Sequence, residues 1–184
     1  MLPFKALALF DALEVDLCHR LNRRSRHAPT RHVFILASRL GDGLFWYSLM
    51  ITLAVMQGAD GRSAALQMGI TALFGVLIYK ALKGSLVRER PFMTHGGIYC
   101  ATAPLDRYSF PSGHTLHAVL FSTLAIAWFP GLALLLLPTV ILIALSRVVL
   151  GLHYPTDVLV GGLIGWGLAS LSLWFYPVAR VAAG

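Results

Sequence analysis

LALLLLPTVILIALSRVVLGLHYPTDVLVGGLIGWGLASLSLWFY, residues 132–176, sets two long apolar runs on either side of one short polar interval. Residues 132–150 and 156–176 each hold about the 20 residues that a helix needs to cross a bilayer at ~1.5 Å per residue. Pro138 falls inside the first run and predicts a kink there. Gly161 and Gly165 in the second are spaced GxxxG, which lets helix backbones approach closely. Arg147, His153 and Asp157 stand in or beside the interval. A charge at the end of a membrane helix is costly unless it is paired, snorkels to the interface or binds an anion.

The rest of the chain extends this pattern. Over 184 residues, 57% are hydrophobic and only 12% charged, about half the charged share of a soluble domain. Mean hydropathy is +0.72. These values predict an all-α, integral-membrane helical bundle in one domain spanning residues 1–184. The pattern gives about five transmembrane helices within residues 44–176: 44–57 (with a helical lead-in from His32 carrying Arg39 and Asp42), 63–82, 112–129, 132–150 and 156–176. Trp128, Trp174, Phe175 and Tyr176 fall at span ends, where interfacial aromatics collect.

Residues 1–31 read as an interfacial segment. Phe10, Leu13, Leu17 and Leu21 recur at helical spacing, with Asp11, Glu14, Arg20 and Arg24 between them, which describes an amphipathic helix lying on the bilayer surface. Arg20, Arg23, Arg24, Arg26 and Arg31 would meet anionic headgroups or set topology. The cluster is short and adjoins a membrane segment, so it gives no reason to expect nucleic acid. Lys5 precedes the first apolar run, but Asp11, Glu14 and Asp16 interrupt it, unlike a signal peptide. Cys18 and Cys100 lie in no CxxC or CxxH setting, which predicts neither a disulfide nor a zinc site. His117, one turn past His114, has no third ligand in view for a metal.

Counting crossings brings distant residues together. Lys83 follows the second predicted span, Ser112 opens the third, Arg147 ends the fourth and Asp157 opens the fifth. Alternating direction puts all four at one membrane face. Three stretches meet there: K-GSLVRE-RP (Lys83–Pro91), PSGH (Pro111–His114) and SR-VVLGL-H-YPT-D (Ser146–Asp157).

Each stretch has its own chemistry. A four-residue offset across a helix start can bring Asp157 to one nitrogen of His153, fixing its tautomer and leaving the other nitrogen nucleophilic. An isolated HxxxD also serves simply to tie a loop to a helix. Ser112 can cap a helix, and Gly113 lets backbone N–H groups approach an anion at the positive helix end. His114 would then reach a leaving-group oxygen as general acid. Lys83, Arg90 and Arg147 could neutralise the equatorial oxygens of a transferring phosphoryl group. Lys80, Arg88 and Arg107 read as interfacial anchors.

Taken together, K-x6-RP, PSGH and SR-x5-H-x3-D specify eleven positions in order. In them the chain resembles the type-2 phosphatidic acid phosphatase superfamily of integral-membrane lipid phosphatases, with no motif position departing from the pattern. The resemblance implies that His153 attacks phosphorus to form a phosphohistidine, held and polarised by Asp157, and that His114 protonates the leaving group. Lys83, Arg90, Arg147, Ser112 and the Gly113 amide would cradle the phosphate. It implies no metal, no cofactor and sensitivity to vanadate.

The implied substrate is a membrane lipid phosphate or diphosphate. Undecaprenyl diphosphate and phosphatidylglycerol phosphate suit the short chain, and the tail would enter sideways between spans. The loop 92–110 would shape headgroup choice, with Tyr99, Asp106, Arg107 and Tyr108 as candidates.

Two rival readings have less to support them. A non-catalytic lipid- or anion-binding protein could keep the scaffold, but would not need both histidines and Asp157. A transporter would be expected to show paired halves, and none is evident. The resemblance implies the bacterial inner membrane with the site at its periplasmic face. Against this, the N-terminal arginines fall on the site's side, with Arg62 and Arg180 opposite, which by the positive-inside rule favours the cytoplasm. Oligomeric state is not legible in the sequence.

Overall fold

The computed structural model describes residues 2–104 and 106–178, with side-chain environments from Asp11 onward; Arg180 lies outside the described residues. The fold is all-α. Its helices are α1 (Leu2–Asn22), α2 (Ala28–Leu40), α3 (Gly43–Met56), α4 (Gly58–Ser85), the single turn α5 (Pro91–Thr94), α6 (Gly113–Trp128), α7 (Ala133–Val149) and α8 (Pro155–Phe175). Among the described residues, three helical segments are long and apolar enough to cross a membrane: Gly58–Ser85, Pro130–Val149 and Pro155–Phe175. At 14 and 16 residues, α3 and α6 are shorter than a full crossing needs.

The core sits around α6, which α4, α7 and α8 enclose. Leu116, Leu120 and Leu124 on α6 are fully buried. Close approach to α8 depends on absent side chains: a Cβ on Gly161 would sit 2.5 Å from the Ser112 carbonyl oxygen, and one on Gly165 2.2 Å from that of Leu116. The GxxxG pair therefore packs α8 against α6. On the other flank Trp46 of α3 stacks on Phe121, centroids 5.3 Å apart. Leu73, Leu134 and Leu163 point outward, as expected of helices solvated by lipid. Away from the catalytic motifs, Gln67 accepts a bond from Trp128 Nε1 (2.7 Å) and donates to Ser172 Oγ (3.1 Å).

The N-terminal region departs from expectation in two ways. The lead-in to the first span is a separate helix: the chain breaks at Gly41–Asp42, where Asp42 adopts an extended backbone (ψ 157°). In α1, Leu13 and Leu17 do face outward, but Glu14 is buried with Cys18 and Asn22. These three recur at i, i+4 and i+8, so a second stripe of α1 docks on the bundle. Asn22 fastens it, donating to the carbonyls of Tyr99 (2.8 Å) and Val149 (2.9 Å) and accepting from the Tyr99 N–H (2.7 Å).

Candidate active site

The spacing of the third motif has a local cause. At the end of α7 the Arg147 carbonyl accepts both the Leu152 and His153 N–H groups at 3.1 Å. Gly151 makes that fold-back possible with φ +77°, and a Cβ there would meet the Tyr99 carbonyl oxygen at 2.7 Å. His153 is thereby returned to Arg147, and both are almost wholly buried. Burial, then the positive charges of Arg147, Arg90 and Lys83, hold the His153 imidazole well below the usual histidine range. It is a neutral base ringed by cations.

Arg90 closes the ring from the first motif. Its Nη1 donates to the Leu152 carbonyl at 2.7 Å and lies 3.3 Å from His153 Nε2. Its Nη2 pairs with Asp106 Oδ1 at 2.7 Å, while Lys83 Nζ pairs with Asp106 Oδ2 at 2.8 Å. Tyr79 donates to the same carboxylate at 2.6 Å. Burial raises the Asp106 carboxyl, but the hydrogen bonds from Lys83, Tyr79 and Arg90 outweigh it and hold the group at about 2. Of the four loop candidates, Asp106 is the one held between the motif cations. Arg107 instead pairs with Glu89 at 3.3 Å near the surface.

Arg147 is unlike the other two cations. Its Nη1 donates to Ser38 Oγ of α2, and its buried Nε has no partner among the described residues. Lys83 and Arg90 thus share the Asp106 carboxylate, while the buried Arg147 guanidinium beside His153 pairs with no carboxylate among the described residues. Such a site calls for an anion.

Asp157 is placed differently from the reading of HxxxD. Its Oδ2 is 3.7 Å from His153 Nδ1, too far for a hydrogen bond, and that nitrogen has no partner among the described residues. The carboxylate is engaged elsewhere: Oδ2 accepts the Tyr154 N–H at 2.8 Å and Oδ1 accepts Arg88 Nη1 at 2.8 Å. It faces His153 without gripping it.

Arg88 is therefore not an interfacial anchor. It bridges Asp157 to Glu14 of α1 (2.6 Å), donates to Thr156 Oγ1 (2.8 Å) and lies 3.8 Å over the Tyr154 ring. Glu14 also accepts the Thr156 N–H at 2.8 Å, capping the start of α8. Neither residue stood out in the sequence. An acid among the apolar positions of a surface helix was the available signal for Glu14.

The second motif caps α6 as expected. Ser112 is the N-cap, and its N–H donates to the Asp157 carbonyl at 3.0 Å, joining the second motif to the third. Its hydroxyl is within 3.0 Å of Thr115 Oγ1. Gly113 is needed for packing: a Cβ would meet the Tyr79 ring at 2.8 Å. His114 Nε2 lies 2.9 Å from Asp42 Oδ1. His117 Nδ1 bonds to the Gly113 carbonyl at 2.9 Å. Among the described residues, no three His, Cys, Asp or Glu side chains gather as a metal site would require.

Comparison with known proteins agrees with this architecture. Residues 64–180 match the PAP2 superfamily. The lipid A 1-phosphatase of Rhizobium johnstonii is 29% identical over 73% of this chain and 63% of its own length. The undecaprenyl-diphosphatase of Sulfolobus acidocaldarius is 25% identical over 79% of the chain and 70% of that protein. Among solved structures, LpxE from Aquifex aeolicus superposes with a TM-score of 0.74 at 26% identity, covering 88% of this chain and 95% of that one. The chain belongs to the PAP2 superfamily, and it spans less than two thirds of the Rhizobium relative.

Proposed function

We propose that the protein is a lipid phosphatase that hydrolyses a membrane phosphomonoester or diphosphate through a phosphohistidine at His153. The observation that carries this reading is the buried Arg147 guanidinium, without a carboxylate partner among the described residues, set with Arg90 and Lys83 about the buried His153. Arg90, Lys83 and Arg147 would hold the phosphoryl oxygens, and the α6 N-terminus would add partial positive charge. With Nδ1 carrying the proton toward Asp157, the lone pair on Nε2 attacks phosphorus. The bond from phosphorus to the leaving oxygen breaks, and His114 gives a proton to that oxygen, which belongs to the lipid alcohol in a phosphomonoester and to the remaining lipid phosphate in a diphosphate. Water then attacks the phosphohistidine, returns a proton to His114 and releases phosphate.

The surroundings of His114 suit a lipid leaving group. A cavity of about 490 Å³ opens between α3 and α4, lined by Trp46, Met50, Gly69, Ala72 and Leu73, with His114 and Asp42 in its wall. An apolar tail seated there would bring its ester oxygen to the acid. A second cavity of about 680 Å³ between α4 and α8 touches none of the site residues. The names of the relatives favour an isoprenoid or lipid A phosphate, and the sequence reading favours undecaprenyl diphosphate or phosphatidylglycerol phosphate. On the resemblance, we place the site at the periplasmic face of a bacterial inner membrane.

Phosphate release by detergent-purified protein in EDTA, across undecaprenyl diphosphate, phosphatidylglycerol phosphate, a lipid A phosphate and phosphatidic acid, tests the proposal with His153→Ala as control. Activity that disappears in the variant, with acid-labile ³²P retained on wild type, is the expected result. Folded protein without release on any lipid would favour an anion-binding role instead. Labelling of Glu89→Cys by an impermeant thiol reagent in intact cells tests the face.

A further inference from the structure

We infer that Asp42, in the turn between α2 and α3, is a positioning residue for His114: its carboxylate accepts Nε2–H and presents Nδ1 to the leaving oxygen. The inference rests on the proposed acid role of His114 and extends it to a residue outside the three motifs.

Three features of the turn support the assignment. Asp42 stands at the N-cap of α3, where an aspartate ordinarily accepts a first-turn N–H, yet its side chain makes no capping bond there. It reaches His114 Nε2 instead, at 2.9 Å. Gly41 shows how closely the turn is seated on the imidazole: a Cβ there would be 2.7 Å from His114 Cδ2 and 3.0 Å from Ile143. One turn earlier in α2, Ser38 accepts from Arg147 Nη1. A single helical hairpin thus touches the acid and one phosphate-binding cation.

The chemistry follows from which nitrogen is engaged. With Nε2–H held by the carboxylate, Nδ1 is left to carry the transferable proton. As the bond between phosphorus and the lipid oxygen breaks and the bond to His153 Nε2 forms, that proton passes from His114 Nδ1 to the departing oxygen. The proton returns from the water that opens the phosphohistidine. The other titratable or charged groups facing His114 are Arg147 from α7, His117 from its own helix and His153 from the loop before α8. Asp42 is the anion among them. It balances Arg147 across the ring and favours the imidazolium that the step consumes. Being half exposed, it acts through a partly screened contact.

The test uses the sensitivity of an acid catalyst to its leaving group. An alkyl lipid oxygen needs a proton to depart, whereas 4-nitrophenolate departs without one. For Asp42→Asn in full-length protein, kcat/KM on the lipid phosphate is expected to fall by ~10- to 100-fold, a part of the 10²–10⁴ that a general acid supplies. That loss should exceed the loss on 4-nitrophenyl phosphate by at least ~10-fold. Asp42→Glu should recover part of it. The alkaline limb of the lipid profile should also move to lower pH in Asp42→Asn, a readout that a folding defect would not move.

His114→Asn run beside it separates the two layers. If His114→Asn shows the leaving-group split and Asp42→Asn does not, Asp42 has no positioning role, whether its losses are equal on both substrates or absent. If His114→Asn shows no split, the acid assignment fails and the inference with it.

Discussion

Replacing Arg88 with alanine should damage the protein far more than replacing Lys80, although the two flank the same end of α4. Arg88 makes three charge-assisted or polar bonds, to Glu14 at 2.6 Å, Asp157 at 2.8 Å and Thr156 at 2.8 Å, and covers the Tyr154 ring. Its removal leaves Glu14 and Asp157, both buried, as neighbouring carboxylates without their shared cation. Breaking a buried pair typically costs ~3–5 kcal/mol, and the lost ring contact adds ~0.5–1 kcal/mol. Arg88 is 31% exposed at its side chain, and water can partly enter the gap, so ~3 kcal/mol is a discounted figure. At ~2–4 °C per kcal/mol for a chain of this size, the melting temperature should drop by roughly 6–12 °C. Lys80→Ala should stay within ~0.5 kcal/mol. Thermal unfolding of both variants in one detergent, with phosphate release measured well below either melting point, gives both numbers. A loss of ~100-fold in turnover is expected for the folded Arg88 variant, because Asp157 would no longer be fixed beside His153. Equal melting temperatures for the two variants would refute the reasoning, since the Glu14–Arg88–Asp157 bridge would then contribute nothing.

Three further outcomes follow from the titrating groups. The folded-state pKa of His153 lies well below its unfolded value, so the imidazole proposed as nucleophile stays neutral as pH falls through the ordinary histidine range near 6.5. The acid limb of the kcat/KM profile should therefore lie below the ordinary histidine range, and a midpoint near 6.5 would contradict it. The same shift makes stability complete above about pH 6.5 and lost progressively below it, because the unfolded chain then binds the proton that the folded one refuses. Asp106, held at about 2, stays ionised throughout that range and competes with phosphate oxygens for Lys83 and Arg90. Asp106→Asn should tighten inhibition by orthovanadate by about tenfold, the equivalent of ~1.4 kcal/mol for one charge-assisted bond no longer displaced. Weaker inhibition would mean that Asp106 orders the cations for the substrate.

The parts legible in the sequence were those with a local signal. Apolar runs marked α4, α7 and α8 to within about five residues, and Ser112 marked the start of α6. Because alternating helices must return to the same face, the three motifs could be assembled by counting crossings. Contacts made by single residues from distant helices had no such signal. Glu14, Ser38 and Asp42 reach the site only through the docking of α1 and the α2–α3 turn. Arg88 looked like an anchor because snorkelling and bridging arginines have the same neighbours in the chain. Asp157 was expected to grip His153, but its oxygens are occupied by Arg88 and the Tyr154 N–H, a competition that only the assembled site reveals.

The seat of Glu14 also bears on how the protein is made. Its partners at Thr156 lie 142 residues further along the chain, so α1 emerges from the ribosome long before the start of α8 exists. Contacts of such separation form late and slowly. Until then Glu14 has only Arg88, 74 residues on, as a partner, and the loop bearing His153 lacks its brace. A nascent chain halted before α8 would leave the candidate site unassembled, which ties the completion of the proposed centre to the synthesis of α8.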